Sequence, residues 1–243
     1  MSSKLFIFSL LLSTTLLMSE AQRFEQKGVE VVIQISDKIK KQYIVKRNIP
    51  PECKKVPITN EMLWTGSFAS KKVPEKCKST YVHTKGKLLP LQLYDNLETY
   101  GELEVLKYLK KMQTNRELLL IDSRLRKWYD YRTIPGAINM PFIYFKEPVN
   151  YEFYFEYALK HLGVRMDEED DYDFTHAKTL LLFCNGPWCT QSPDMIYALL
   201  DIGYPAEKLK WYRGGMQDWL GAGMTSTREV DYDALANKEH SKK

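Results

Sequence analysis

Histidine is scarce in this sequence and cysteine equally so, with four of each among 243 residues. His83, His161, His176 and His240 show no metal-ligand spacing, and two cysteines close together still lack two further ligands at useful spacing, so no metal site is expected. An excess of one charge is also missing. The 35 basic and 31 acidic residues leave a net +4, without the dense basic patch that nucleic-acid binding needs, so nucleic acid is not an expected partner. Beyond the first 21 residues no apolar run is long enough to cross a membrane. There is no internal repeat and no low-complexity tract, and the acidic stretch Asp167 to Asp173 reads as a solvated loop.

The first 21 residues read as a secretory signal. Lys4 supplies the positive start, Leu5 to Leu17 the apolar stretch, and Ser19-Glu20-Ala21 the small residues before a cut. The apolar stretch is short for a membrane span. No cysteine lies near the cut, which speaks against a lipid-anchored mature form. The expectation is an exported protein, periplasmic if bacterial, with no stable membrane insertion once the signal is removed. Export favours disulfides. Cys53, Cys77, Cys184 and Cys189 allow three pairings, and the simplest is Cys53–Cys77 as a structural clasp with Cys184 and Cys189 as a local pair.

Residues 22–91 read as an N-terminal extension. Val29, Val31 and Ile33, then Tyr43 and Val45, predict two short strands around a charged turn at Asp37 to Lys41. From Glu52 to Pro90 the Lys-, Pro-, Ser- and Thr-rich chain predicts irregular structure, either stapled onto the main domain or forming a small subdomain. From about Glu98 the pattern turns helical, with Leu103, Leu106, Leu109 and Met112 at helical spacing. Leu118 to Ile121 is a continuous apolar run that predicts a fully buried strand ending in Asp122-Ser123-Arg124. Ile134 to Pro141 predicts a turn and a short strand, Tyr151 to Leu162 a helix, Leu209 to Tyr212 a strand, and Met216 to Leu220 a short helix. Residues 229–243 form a polar tail. Alternating apolar strands and helices imply an α/β fold with a parallel sheet covered on both faces.

The chain is organised around Leu180 to Asp194. Leu180 to Phe183 reads as a buried strand, Asn185 to Thr190 as a tight loop, and Ser192-Pro193-Asp194 as a helix start with Ser192 as N-cap. Cys184 therefore falls between a parallel strand and a helix, the usual place for a site in an open α/β sheet. Loop N–H groups and the helix N-terminus favour an anion there, which predicts a lowered pKa for Cys184. The opposing reading is a buried structural cysteine.

Several pieces together resemble the rhodanese-like family over about residues 92–228. These are Leu120-Ile121-Asp122-Ser123-Arg124, Ile134-Pro135-Gly136-Ala137-Ile138-Asn139-Met140-Pro141, the loop after Cys184, Gly203-Tyr204, and Arg213-Gly214-Gly215 with Trp219. The resemblance implies a five-stranded, mostly parallel sheet with helices on both faces, here preceded by a small disulfide-stapled N-terminal region. It also implies sulfurtransferase chemistry without a cofactor. Cys184 takes up sulfane sulfur as a persulfide, the loop Asn185 to Thr190, with Gly186 and Trp188, cradles it, and the partners are a small sulfane-sulfur donor and a thiol acceptor. Where the family often has Arg followed by Ser, this chain has Cys189 and Thr190, which weakens the case for an anionic donor such as thiosulfate. Paired-cysteine loops also occur in some exported members, and Cys189 could resolve a persulfide on Cys184. Asp122 reads as a brace for the loops. Arg124 and Arg213 either lend positive field to substrate or pair with acidic groups, and Trp188 either lines the pocket mouth or packs. Two other functions remain open: a thiol–disulfide oxidoreductase cycling Cys184 and Cys189, and a non-catalytic rhodanese-like binding module. A kinase-activating phosphatase is set aside, because the arginine it needs six residues after the cysteine is Thr190.

Overall fold

A computed structural model describes residues 27–36, 39–48, 51, 74, 87–166 and 171–227. The expected signal (1–21), the Cys53–Cys77 clasp and the polar tail (229–243) lie outside the described residues.

The described residues open with an antiparallel hairpin of β1 (Val29–Ser36) and β2 (Ile39–Val45), as the alternation predicts. A five-stranded sheet follows, built from β3 (Glu98–Tyr100), β4 (Leu118–Asp122), β5 (Ile138–Asn139), β8 (Thr179–Phe183) and β9 (Leu209–Tyr212). Its order is β3-β9-β8-β4-β5, and every pairing in it is parallel. A second short pair, β6 (Arg165–Met166) with β7 (Tyr172–Asp173), lies apart from the sheet and is antiparallel.

The central strands are buried on both faces, which is why they read as unbroken apolar runs. Leu180 and Leu182 of β8 enter one core together with Ile121, Leu209 and Trp211. The helices on that side are α3 (Ile143–Lys146), α4 (Glu152–His161) and α5 (Gln191–Asp201), contributing Phe145, Leu159, Met195, Ile196 and Leu199. Leu181 and Phe183 point the other way, into a second core with Leu120 and Tyr212. There they meet α1 (Glu102–Met112) through Val105, Leu106 and Leu109, and α6 (Gly215–Gly221) through Met216 and Trp219. Each fully buried leucine of this kind contributes about 1.5–3 kcal/mol.

The hairpin belongs to the second core rather than standing alone. Val29, Val31 and Val45 are buried in it against the sheet's covering helices. Backbone bonds tie it to the end of the domain, from Asn48 N–H to the Gly223 carbonyl (2.6 Å) and from Thr225 N–H to the Lys46 carbonyl (2.8 Å).

Three local expectations need correction. Residues 98–100 are an edge strand rather than the start of the helix, because they pair with β9 from Glu98↔Lys210 to Tyr100↔Tyr212. The helix begins after Gly101, whose N–H is bonded by the Glu104 carboxylate at 3.3 Å. A short helix α2 (Arg126–Tyr131) stands between β4 and β5, where no element was predicted; none of its residues is buried, so it carries little apolar periodicity. Finally, α5 starts at Gln191 with Thr190 as its cap, so Ser192 is inside the first turn and not the N-cap. Pro193 is tolerated there because first-turn amides have no intrahelical acceptor.

Candidate active site

The carboxyl ends of β4 and β8 lie side by side, with Asp122 opposite Phe183 in the register. That pairing brings the residues after each strand, Ser123-Arg124 and Cys184-Asn185, to one edge of the sheet. The Ser123 N–H bonds the Phe183 carbonyl at 3.0 Å.

Asp122 is the brace of this edge. It is fully buried and accepts from Arg124 Nε at 2.8 Å, Arg124 Nη2 at 2.6 Å and Thr133 Oγ1 at 2.8 Å. Arg124 is itself 2% exposed, and its other donors go to Asn185 Oδ1 (3.3 Å) and the Arg132 carbonyl. Of the two roles open to Arg124, the structure gives it the acid-pairing one, and through Asn185 it also anchors the cysteine loop. Arg213 is engaged elsewhere too, donating to the carbonyls of Leu89 (2.8 Å) and Pro90 (3.1 Å). Of the two arginines left open between substrate and protein partners, Arg124 thus has Nε, Nη1 and Nη2 on protein acceptors, and Arg213 spends Nε and Nη2 on the strap carbonyls. Thr133 adds a hydroxyl as a further side-chain donor to Asp122.

The loop from Cys184 to Thr190 is pinned from three sides. The first amides of α6, Met216 and Gln217, donate to the carbonyls of Cys184 (3.0 Å) and Asn185 (2.8 Å). Trp188 Nε1 donates to Gln217 Oε1, and Leu89 N–H donates to the Pro187 carbonyl at 2.9 Å. Trp188 therefore fastens the loop to α6, and residues 89–90 strap its outer edge. Gly215 makes the α6 approach possible. Its φ is +56°, and a Cβ there would lie 2.5 Å from the Cys184 carbonyl oxygen and 2.7 Å from the Gly186 nitrogen. Gly215→Ala is expected to cost about 1–3 kcal/mol through backbone strain and a displaced loop, read as a lowered urea midpoint with unchanged m-value.

The two thiols are free, and both are almost wholly buried, Cys184 at 2% and Cys189 at 5% exposure. Cys184 Sγ donates to the Cys189 carbonyl oxygen at 3.2 Å and accepts from Ser192 Oγ at 3.1 Å. Ser192 Oγ in turn accepts from Trp211 Nε1 at 3.1 Å. The expected cradle of loop amides is only partly there: Pro187 has no N–H, the Cys189 N–H is spent on the Gly186 carbonyl (2.9 Å), and the loop shows Cys184 a carbonyl.

The protonation expectation reverses. Burial pushes the Cys184 thiol well up, its Cys189 neighbour adds to the rise, and the Ser192 hydroxyl and amide oppose it. Cys189 carries the lowered value, about 6, held down first by the neighbouring Cys184 side chain and then by the amides of Asn185 and Gln191, against the opposing effect of burial. The Asn185 side chain adds a long contact to Cys189 Sγ at 3.8 Å. A site with one resident thiolate beside one thiol results, suited to nucleophilic sulfur chemistry.

Asn185, Gly186, Trp188 and Thr190 all lie in this loop, as the sequence places them, with Thr190 exposed and Gly186 closed against Gln217 and Trp188. Sequence reasoning missed Ser192 as a partner of Cys184, and it missed Trp211, Gln217 and the Leu89–Pro90 strap. A hydroxyl on the first helical turn after a nucleophile loop was the available signal for Ser192. Trp211 gave none, since it reads as strand core. Ser123 Oγ is buried at the same edge and has no partner among the described residues. No group of three or more metal-ligating side chains occurs among the described residues.

The chain is similar to several known proteins. An HTH-type transcriptional regulator of Mycobacterium tuberculosis is 27% identical over 108 residues, covering 44% of this chain and 37% of the regulator, so the match takes in well under half of that relative. A structure described as rhodanese with anions from E. coli is 22% identical, covering 46% of this chain and 98% of that one, with a TM-score of 0.29. A thiosulfate sulfurtransferase from Pseudomonas aeruginosa is 18% identical, covering 55% of this chain and 21% of that one, with a TM-score of 0.36. Residues 105–222 match the model of the rhodanese-like domain, the stretch that runs from α1 through the cysteine loop to the end of α6, and that stretch of the chain is a rhodanese-like domain.

Proposed function

We propose that the protein is a sulfurtransferase or sulfane-sulfur carrier in which Cys184 bears the persulfide. The observation that carries this reading is the placement of Cys184 Sγ at the carboxyl end of the central strand, with a buried hydroxyl 3.1 Å away and a pinned loop beside it. In the loading step the Cys184 thiol gives up its proton, which is carried off with the donor's leaving thiolate, and its sulfur attacks the outer sulfur of a donor R–S–SH. A Cys184 sulfur–sulfur bond forms, the donor's sulfur–sulfur bond breaks, and R–S⁻ leaves. In the unloading step an acceptor thiolate attacks the outer sulfur and Cys184 leaves as thiolate. Neither step needs a net oxidant or a cofactor. Because the loop has Cys189 where an arginine would clamp an anion and Arg124 is buried in its pair with Asp122, the donor in this reading is a low-molecular-weight persulfide or polysulfide in preference to the thiosulfate dianion. Residues 1–21 serve as an export signal in the same reading, so that the chemistry runs in an oxidising compartment.

A second reading rests on Cys189, whose pKa of about 6 gives a thiolate next to a second free thiol, the starting point of a dithiol–disulfide cycle. One experiment separates the two. Intact mass is measured after exposure to glutathione persulfide, polysulfide or thiosulfate, for the parent protein, Cys184→Ser and Cys189→Ser. Sulfur transfer predicts a gain of one sulfur in the parent and in Cys189→Ser, none in Cys184→Ser, and weak loading from thiosulfate. If Cys189→Ser takes up no sulfur while the parent catalyses disulfide exchange, the transfer reading is wrong and the oxidoreductase reading stands.

A further inference from the structure

We propose that Ser192 is a catalytic residue, whose hydroxyl, aimed by Trp211, donates a hydrogen bond to the Cys184 sulfur while that sulfur is an anion and while it carries the persulfide. The proposal deepens the sulfur-transfer reading and rests on it for the persulfide part.

The direction of each bond follows from what each group can do. Indole N–H only donates, so Ser192 Oγ must be the acceptor of the 3.1 Å contact from Trp211 Nε1. A serine hydroxyl has one hydrogen, and with the indole on an oxygen lone pair that hydrogen is left for Cys184 Sγ at 3.1 Å. The Cys184 hydrogen already lies toward the Cys189 carbonyl at 3.2 Å, so its sulfur accepts from Ser192. The four groups form a one-way chain: Trp211 N–H to Ser192 O–H to Cys184 S–H to the Cys189 carbonyl. When Cys184 loses its proton the last link breaks, and the first two keep their direction and strengthen, because a bond to a charged acceptor is the stronger kind.

The surroundings make this donor count. Ser192 and Trp211 are both 0% exposed, so neither exchanges its bond for water. The adjacent loop gives Cys184 a carbonyl acceptor; Pro187 has no N–H, the Cys189 N–H goes to the Gly186 carbonyl, and the amides of Asn185 and Gln191 act on Cys189. Ser192 therefore supplies the side-chain donor that the Arg-lacking loop does not, and its backbone amide acts on Cys184 in the same sense. Trp211 touches no reacting atom and is a positioning residue.

The test uses the full chain carrying Cys189→Ser, so that Cys184 is the one active-loop thiol. Iodoacetamide labelling of the Cys184 peptide is followed against pH by mass spectrometry, together with its rate of sulfur uptake from glutathione persulfide. Ser192→Ala is expected to raise the apparent pKa and slow labelling at a fixed pH below it by about tenfold, the scale of one lost bond to a charged group. Ser192→Thr, which keeps the hydroxyl, should recover most of this. Trp211→Phe should give a smaller shift of the same sign and add nothing to Ser192→Ala, since it acts only through that hydroxyl. A Ser192→Ala profile that superimposes on the parent, or additive effects of the two changes, overturns the proposal. If Ser192→Ala does not fold, as judged by circular dichroism, Trp211→Phe decides alone, and an unshifted profile overturns it. The labelling readout needs no sulfur transfer: a shifted profile in a protein that takes up no sulfur supports the Ser192–Cys184 bond and refutes the transferase reading instead.

Discussion

Iodoacetamide at pH 7 is expected to label Cys189 well ahead of Cys184, with the Cys189 rate climbing through about pH 6 and flat by pH 8. With its pKa lowered toward about 6, Cys189 carries a much larger thiolate fraction at neutral pH than an ordinary cysteine near 8.5, which is only a few per cent ionised. Both thiols are buried, so labelling requires the loop to open, and the pH dependence then reports the ionised fraction. The largest cause of the lowering is the Cys184 side chain, so Cys184→Ala should return the Cys189 midpoint toward the ordinary range. Burial works in the opposite sense on Cys184, and its own labelling should begin only at alkaline pH. The stability consequence has a definite sign. The native Cys189 value lies below the unfolded one, so between about pH 6 and 9 the unfolded chain binds more protons, and this thiolate adds stability as pH rises through that window. Its contribution is gone below about 6, while the raised Cys184 value acts against stability at higher pH. Peptide-resolved labelling from pH 5 to 9 checks this; equal rates for the two cysteines at pH 7 would refute it.

Asp122→Ala is expected to be among the most destabilising single changes in the chain, at about 3–5 kcal/mol. The replacement leaves Arg124, 3% exposed in its side chain, with its charge buried and its bonds of 2.8 and 2.6 Å gone. Thr133 Oγ1 loses its acceptor as well. A typical domain has only about 5–15 kcal/mol of net stability, so the loss consumes a large share of it. At about 2–4 °C per kcal/mol for a chain of this size, thermal unfolding followed by circular dichroism should shift down by about 10 °C. Removing both charges together, as in Asp122→Leu with Arg124→Met, should cost much less, because no unpaired ion is left behind. The damage in Asp122→Ala should also reach the active loop, since Arg124 holds Asn185 Oδ1 at 3.3 Å, so the pH profile of Cys189 labelling should change with it. A loss under about 1 kcal/mol would show that the pair is solvated rather than sealed.

The sequence by itself determined the central sheet and the address of the site. Leu118 to Ile121 and Leu180 to Phe183 are legible because a parallel strand buried on both faces must be apolar at every position, and that demand is local. The position of Cys184, one residue past such a strand, follows from the same pattern. Strand Glu98–Tyr100 was not legible: it is short, polar and partly exposed, and is a strand only because β9 pairs with it. The tertiary structure alone decided the electrostatics. Which thiol is ionised depends on the direction of the Cys189 carbonyl, on the Ser192 hydroxyl and on near-complete burial, none of which residue spacing encodes. The arginines show the same limit. Arg124 finds its acid two residues away, a partner the Asp-x-Arg spacing allowed, whereas Arg213 is taken up by carbonyls 123 and 124 residues distant in the chain. Long-range closure of hydrogen bonds in a dry interior sets charge and donor supply at this site, and only the folded chain brings those partners together.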